Sequence, residues 1–210
     1  MKNTDLLSEI ETDAVAELMN MAMGQAAAAL NELVHEEVRL SVPAVSFMSP
    51  AEFRDTIGNV TPDKVSLIDQ HVSGPFDGDM LLIFPEENSL ELVRTMLGEE
   101  IGIEELTELE QDAFIEIGNI IIGAAMATLA NTLGIEFTST LPTYARKHPD
   151  ELLSAGAGPT VPDDSTVLFI HIEFGLPKRE ITGYLSFVMN AGSAEKFKTV
   201  IEGFVGLVSG

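Results

Sequence analysis

Two short runs of this sequence hold the side chains with the most evident chemistry. SEIETDAVAELMN begins at Ser8 and TELEQDAFIEIGN at Thr107. Each presents two acids and a carboxamide at the same spacing: Asp13, Glu17 and Asn20 in the first, Asp112, Glu116 and Asn119 in the second. Gly24 and Gly123 follow each amide, and Pro43 and Pro142 come later; every pair is 99 residues apart with no gap. A carboxamide donates and accepts hydrogen bonds but takes up no proton. It can orient a water molecule without activating it as a base. That suits a substrate whose bond is already labile, such as an acyl phosphate, because phosphoryl transfer is mostly positioning and charge stabilisation. A carboxylate beside it can pair with a cation on a partner.

These residues need a helix to share a face. At 100° per residue, Asp13, Glu17, Asn20 and Gly24 fall in one stripe about 60° wide, and so do Asp112, Glu116, Asn119 and Gly123. Val15, Leu18, Ala22 and Ala29 lie opposite in the first run, and Phe114, Ile117, Ile121 and Ala125 in the second. Each helix is therefore expected to bury one side and present an acid–acid–amide–glycine row on the other. A lone Glu-x-x-Asn is ordinarily plain solvated surface, but its repetition argues against that. A glycine inside a helix costs about 1 kcal/mol relative to alanine. Its recurrence one turn past each Asn suggests that another surface approaches there; close packing within this chain is the competing explanation.

The match between the runs extends to Leu30 with Leu129. Four fixed matches arise by chance at about 10⁻⁵ per start, so the chain reads as an internal duplication. One domain over residues 1–210 holds a first repeat at 8–98 and a second at 107–208. Each repeat is expected to run helix, strand, short helical excursion, two strands, helix. Capping boxes Ser8-x-x-Glu11 and Thr107-x-x-Glu110 open the two long helices. Strands are expected at Val38–Val42, Val65–Val72 and Gly78–Phe84, then at Ile135–Leu141, Val167–Phe174 and Ile181–Met189. Closing helices cover about Asn88–Leu97 and Gly192–Val205, with Ser89 and Ser193 near their starts. Gly98–Leu106 links the repeats, and Ala155–Asp164 reads as an exposed loop. The expected fold is α+β, with a shared sheet, pseudo-two-fold symmetry and two equivalent long helices carrying the sites.

Composition removes other classes. The chain has 210 residues, no Cys, and 34 acidic against 11 basic residues, a formal net charge of −23. Zero Cys excludes a disulfide framework, a thiolate zinc site and a Cys nucleophile. The acidity argues against nucleic-acid binding and anionic lipid. No run of 18 apolar residues suggests a membrane span, and the acidic N-terminus is unlike a signal peptide. A cytoplasmic protein is expected. His35, His71, His148 and His171 have no metal-ligand spacing; His71 and His171 read as packing residues. Met19, Met21 and Met23 read as helix packing.

The doubled motif resembles the signature of the CheC/CheX/FliY phosphatases of chemotaxis: Asp or Ser, three residues, Glu, two residues, Asn, twenty-two residues, Pro. Asp13-Glu17-Asn20-Pro43 and Asp112-Glu116-Asn119-Pro142 match at every spacing. Two sites in one chain are most like the CheC form. The resemblance implies hydrolysis of the aspartyl phosphate of the response regulator CheY. Asn20 and Asn119 would position water, and Glu17 and Glu116 would contact the regulator's active-site Lys. Mg²⁺ would belong to CheY, with no cofactor of the chain's own; the deamidase CheD is a further partner the resemblance implies. The alternative is a non-catalytic CheY- or CheD-binding adaptor, or a flagellar-switch-like module. One departure stands out: Gly118 precedes the second Asn, but Met19 precedes the first. The two sites therefore need not be equally active.

Overall fold

The computed structural model describes residues 6–34, 37–97, 108–153, 161–162, 164–176 and 179–208. Its elements in chain order are α1 (Glu9–Val34), β1 (Arg39–Met48), α2 (Pro50–Val60), β2 (Val65–Ser73), β3 (Gly78–Pro85), α3 (Glu86–Leu97), α4 (Glu108–Leu133), β4 (Thr138–Ser139), β5 (Thr143–Lys147), β6 (Thr166–Leu176), β7 (Arg179–Met189) and α5 (Ala191–Val208). A 3₁₀ turn covers Pro149–Glu151. The first capping box forms as expected: Ser8 N–H donates to Glu11 Oε2 at 2.7 Å, and Glu11 N–H to Ser8 Oγ at 3.4 Å. Thr107 and the side chain of Glu110 lie outside the described residues, as does the linker Gly98–Leu106.

The strands form one antiparallel sheet in the order β1-β6-β7-β3-β2, with β4 and β5 both pairing β2. Exchanging the two halves of the chain leaves this order unchanged: β1 trades places with β4 and β5, β6 with β2, and β7 with β3. The helices α1, α3, α4 and α5 cover one face, where Val15, Leu18, Phe114, Ile117 and Phe197 meet Ile68, Leu82, Phe84 and Leu185. The other face is covered by α2 and the 3₁₀ turn, through Phe53, Ile57 and Leu152 over Leu67, Leu81, Phe169 and Tyr184. This is the expected α+β fold with a shared sheet and two equally long helices, 26 residues each. The short excursions also match: α2 opens at Pro50 with Glu52 capping Ser49 N–H, and the 3₁₀ turn opens at Pro149 with Glu151 capping His148 N–H. The second stops after one turn, and Leu153 follows with a left-handed φ of 65°.

Several boundaries differ from the sequence reading. The first strand does not stop at Val42 but runs through Pro43 to Met48. Proline cannot donate to a ladder, so it is tolerated only at an edge or a bulge, and β1 provides both. Ser41 faces Glu173 while Ala44 faces His171, so β1 carries one extra residue at Val42–Pro43. The strand expected at Ile135–Leu141 is broken into β4 and β5. Val72 faces Ser139 and Asp69 faces Thr143, again one extra residue, beside Pro142. The closing helices begin earlier than expected, at Glu86 and Ala191, and Ala29 is exposed.

The segment Gln111–Leu133 of α4 is long and apolar enough by composition to cross a membrane, although Asp112, Glu116, Asn119 and Asn131 interrupt its apolar residues. Half of it is buried inside this fold, over Ile68 and Phe84 in the core.

Candidate functional site

The sheet holds the two long helices so that their acid–amide rows face outward. Val15, Leu18, Met19, Ala22, Met23, Ala26 and Leu30 of α1 are buried, and Phe114, Ile117, Ile121, Ile122, Ala125 and Leu129 of α4 likewise. The opposite stripes, Asp13-Glu17-Asn20-Gly24 and Asp112-Glu116-Asn119-Gly123, are exposed along their whole length. A Cβ built on Gly24 or Gly123 would meet nothing within 4 Å. Close packing within the chain is therefore not what these glycines serve. Each stripe continues bare past its glycine, to exposed Ala28 on α1 and exposed Ala127 on α4. Neither helix contains a Lys or Arg.

The residue before each Asn shows how the helices are seated. A Cβ on Gly118 would lie 2.7 Å from Ile68 Cγ2, so α4 lies directly on β2 there. In α1 the same position is Met19, 1% exposed, whose side chain fills core volume instead. Met23 is buried as well, but Met21 is exposed beside Asn20.

The two amides are held differently. Val42 N–H donates to Asn20 Oδ1 at 3.0 Å. Asn20 Nδ2 donates back to Val42 O at 3.4 Å and to Ala16 O at 3.1 Å. Val42 is the last of the twenty-two residues between Asn20 and Pro43, so the spacing in the motif returns the bulged strand to the amide. The bulge leaves the Val42 peptide unpaired with β6 and available to the helix. In the second repeat Asn119 makes no side-chain hydrogen bond among the described residues. The residue matching Val42 is Leu141, which is 86% exposed where Val42 is 6% exposed. That bulge is held by the sheet. Gln70 Nε2 donates to Thr140 O at 2.8 Å and to Ser139 Oγ at 3.0 Å, and Thr140 N–H donates to His71 O at 3.0 Å. The motif alone pointed to Asn20, Asn119 and the prolines. It did not reveal Val42 or Gln70, whose roles depend on backbone direction at the bulge.

Two surface cavities contain no motif residue. One, of about 680 Å³, opens beside the C-terminal end of α4 between Ser73 and Phe137; the other, about 200 Å³, lies at His71, Asp79 and Asn190. Among the described residues no three His, Asp or Glu side chains gather as metal ligands. His171 stacks on Tyr184 with ring centroids 5.4 Å apart, as a packing residue. His71 is not a packing residue: it is exposed, and its Nδ1 lies 2.7 Å from Asp79 Oδ1. His35 lies outside the described residues.

Comparison with known proteins follows this geometry. A family model described as chemotaxis phosphatase CheX matches residues 70–161, and the model of the CheC-like family matches residues 10–47. The first spans the second amide and its proline, and the second spans the first. These two matches, with the relatives that follow, support placing the chain with the CheC/CheX/FliY family. CheY-P phosphatase CheC of Bacillus subtilis (strain 168) is 25% identical over 153 residues, covering 71% of this chain and 73% of that protein. Flagellar motor switch phosphatase FliY of the same organism is 24% identical over 212 residues, covering 93% of this chain. The chain spans about half of that relative, 54% of its length. Among solved structures, Thermotoga maritima FliY superposes with a TM-score of 0.77 at 20% identity, covering 94% of this chain and 98% of that one. The FliM middle domain from H. pylori gives 0.68 at 12% identity, covering 92% and 99%. These two likenesses show the fold, and one fold can host several functions. Function in this chain has to be argued from its two helix faces.

Proposed function

We propose that this protein hydrolyses the aspartyl phosphate of a CheY-type response regulator in the cytoplasm, using Asn20 and Asn119 to place the attacking water. The observation that carries the reading is the doubled, outward Glu-Asn row on two helices that lack any basic residue. Such a face has nothing with which to hold a phosphate ion. It can complete a site whose cations are supplied by the substrate protein. The relatives' names point the same way: the CheC relative is described as a CheY-P phosphatase.

On this reading a helix face docks against the phosphorylated regulator, with the bare Gly-Ala stripe allowing close approach. Glu17 or Glu116 pairs with a Lys of the regulator, a charge-assisted contact that fixes the docking register. The Asn Oδ1 accepts a hydrogen bond from a water molecule and aims its lone pair at phosphorus. The water oxygen–phosphorus bond forms as the bond to the aspartyl oxygen breaks. The aspartate leaves as a carboxylate, and both protons of the water depart with inorganic phosphate as dihydrogen phosphate. The regulator supplies Mg²⁺, so the chain needs no metal of its own. An amide is sufficient here because the leaving group is already good and the reaction asks mainly for alignment. The exposed placement of both rows on helix faces suits a protein substrate better than a small acyl phosphate. Binding of CheD has no residue-level support among the described residues and forms no part of this reading.

The test is to time phosphate loss from a phosphorylated CheY-type regulator with and without the protein. The parent should accelerate it, and Asn20→Ala with Asn119→Ala should return it to the regulator's own rate. A double variant as active as the parent would overturn the catalytic reading. A parent that binds the phosphorylated regulator without changing its lifetime would favour an adaptor.

A further inference from the structure

The two amides differ although their motifs are the same, and the difference traces to one residue outside the motif. Each strand bulge leaves a peptide in need of partners. In the first repeat a carboxamide from the helix, Asn20, takes the Val42 peptide. In the second a carboxamide from the sheet, Gln70, takes the Thr140 carbonyl and the Ser139 hydroxyl. Gln70 is 6% exposed and lies on the sheet face under α4. Its equivalent in the other half follows from strand pairing. Thr140 lies opposite His71 as Ser41 lies opposite Glu173, so Gln70 corresponds to Ile172. Ile172 is fully buried and has no donor to offer. With a sheet donor present, the strand is drawn toward β2, Leu141 turns outward and the helix amide is left free. With an isoleucine there, Val42 turns inward and its peptide closes on Asn20.

We infer that Gln70 is a positioning residue for the second site: by holding the β4–β5 bulge it keeps Asn119 unengaged, and the lack of such a donor at Ile172 leaves Asn20 latched to Val42. The inference rests on the phosphatase reading only for its effect on turnover; the latch itself is a property of the protein alone. Gln70 Oε1 has no hydrogen-bond partner among the described residues, so the side chain acts here through its two donors.

Side-chain amide hydrogen exchange, read by nitrogen-15 NMR on the unbound full chain, tests it directly. Asn20→Asp and Asn119→Asp identify the two resonance pairs by their loss. In the parent, Asn20 should exchange about fivefold or more slowly than Asn119, the factor expected from a net hydrogen bond of about 1 kcal/mol. Equal rates would overturn the latch. In Gln70→Leu the second bulge loses its donors, Leu141 is expected to turn inward, and Asn119 should slow to within about twofold of Asn20. Gln70→Met, closer to glutamine in shape, is the second variant and should behave alike. A folded Gln70→Leu or Gln70→Met in which Asn119 exchanges as in the parent would overturn the role of Gln70. On an Asn20→Ala background the same variants should lower kcat for regulator dephosphorylation about tenfold, with KM unchanged, because the loss falls after docking. The exchange experiment involves no phosphatase activity, so failure of the latch and failure of the phosphatase reading are told apart.

Discussion

The first site and the second carry the same four side chains at the same spacing, yet one amide is spoken for and the other is not. Asn20 spends its two N–H donors and one acceptor position on its own chain, at Ala16 and Val42. Asn119 keeps all of its capacity for a partner. The helices beneath differ too: Gly118 brings α4 onto Ile68, whereas Met19 fills the core under α1. Identical motif side chains thus do not make equivalent sites. The hydrogen bonds a residue already holds decide what it can offer.

The sharpest way to break this comparison is to delete one amide at a time. To reach a phosphoryl group in another protein, Asn20 must give up its contacts to Val42, at a cost on the order of 1–2 kcal/mol. The first site should then run about tenfold slower than the second. Asn119→Ala should leave roughly a tenth of the activity, and Asn20→Ala roughly nine-tenths. Steady-state rates against a phosphorylated regulator check the ranking. If Asn20→Ala proved the more damaging, the latched amide would be the pre-organised form and the free one the handicap.

Next in size is Gly123→Leu on an Asn20→Ala background. The open space around Gly123 means that the leucine meets nothing in this chain, and leucine is the better helix former by several tenths of a kcal/mol. Thermal stability should hold or rise slightly while turnover falls about tenfold, since the side chain stands where the regulator must approach. Gly24→Leu on an Asn119→Ala background makes the matching test of the first face. A stable, fully active Gly123→Leu would place docking elsewhere.

Much of this was legible in the sequence. The 99-residue spacing, the outward stripes and the long helices follow from spacing and apolar period, and the four strands inside the sheet, β6, β7, β3 and β2, were located within a few residues. The edge strands were misjudged because Pro43 and Pro142 look like strand ends in a linear reading. Only a three-dimensional edge with a bulge lets the chain pass through them. Gln70 was invisible for a related reason: within Val65–Ser73 it reads as one polar residue in an apolar strand, and its meaning comes from a strand seventy residues further on.

A smaller effect is expected from salt. On the phosphatase reading, a protein at −23 approaches a regulator whose phosphorylated aspartate is itself anionic, so the long-range term should be repulsive. Raising ionic strength from low to physiological should leave the association rate unchanged or raise it up to a few-fold, by stopped-flow or surface binding. Both faces lack basic residues, so variants that retain only one site should show the same slope. A steep fall with salt would reveal a local attractive patch, and a fall confined to one variant would locate it.

The smallest effect concerns β2 on the side away from the helices. Asp69 precedes Gln70, and the pairing that matches Gln70 with Ile172 matches Asp69 with His171. Burial, then the nearby Asp79 charge, pushes the Asp69 carboxyl up from 3.8 to about 6, against a smaller opposing pull from Lys147 and His71. Its Oδ1 is buried without a hydrogen-bond partner among the described residues. The folded protein therefore keeps a proton on Asp69 at pH values where the unfolded chain has released it. Stability from this group is fully present below about pH 4 and is lost as pH rises through about 6. Asp69→Asn removes the titration. Its Tm should lie near that of the parent at pH 4, exceed it by a few degrees at pH 7.5, and change between the two across the interval from 4 to 6. All other titrating groups are common to both proteins and cancel in the difference. Because β2 also carries Gln70, ionised Asp69 loads the strand that holds the second bulge and leaves β6 and the first bulge untouched. Amide exchange at Thr140 should accordingly quicken between pH 5 and 7 beyond the intrinsic increase, while Val42 follows the intrinsic trend. Equal excess at both positions would mean that ionisation loosens the whole sheet rather than its second half.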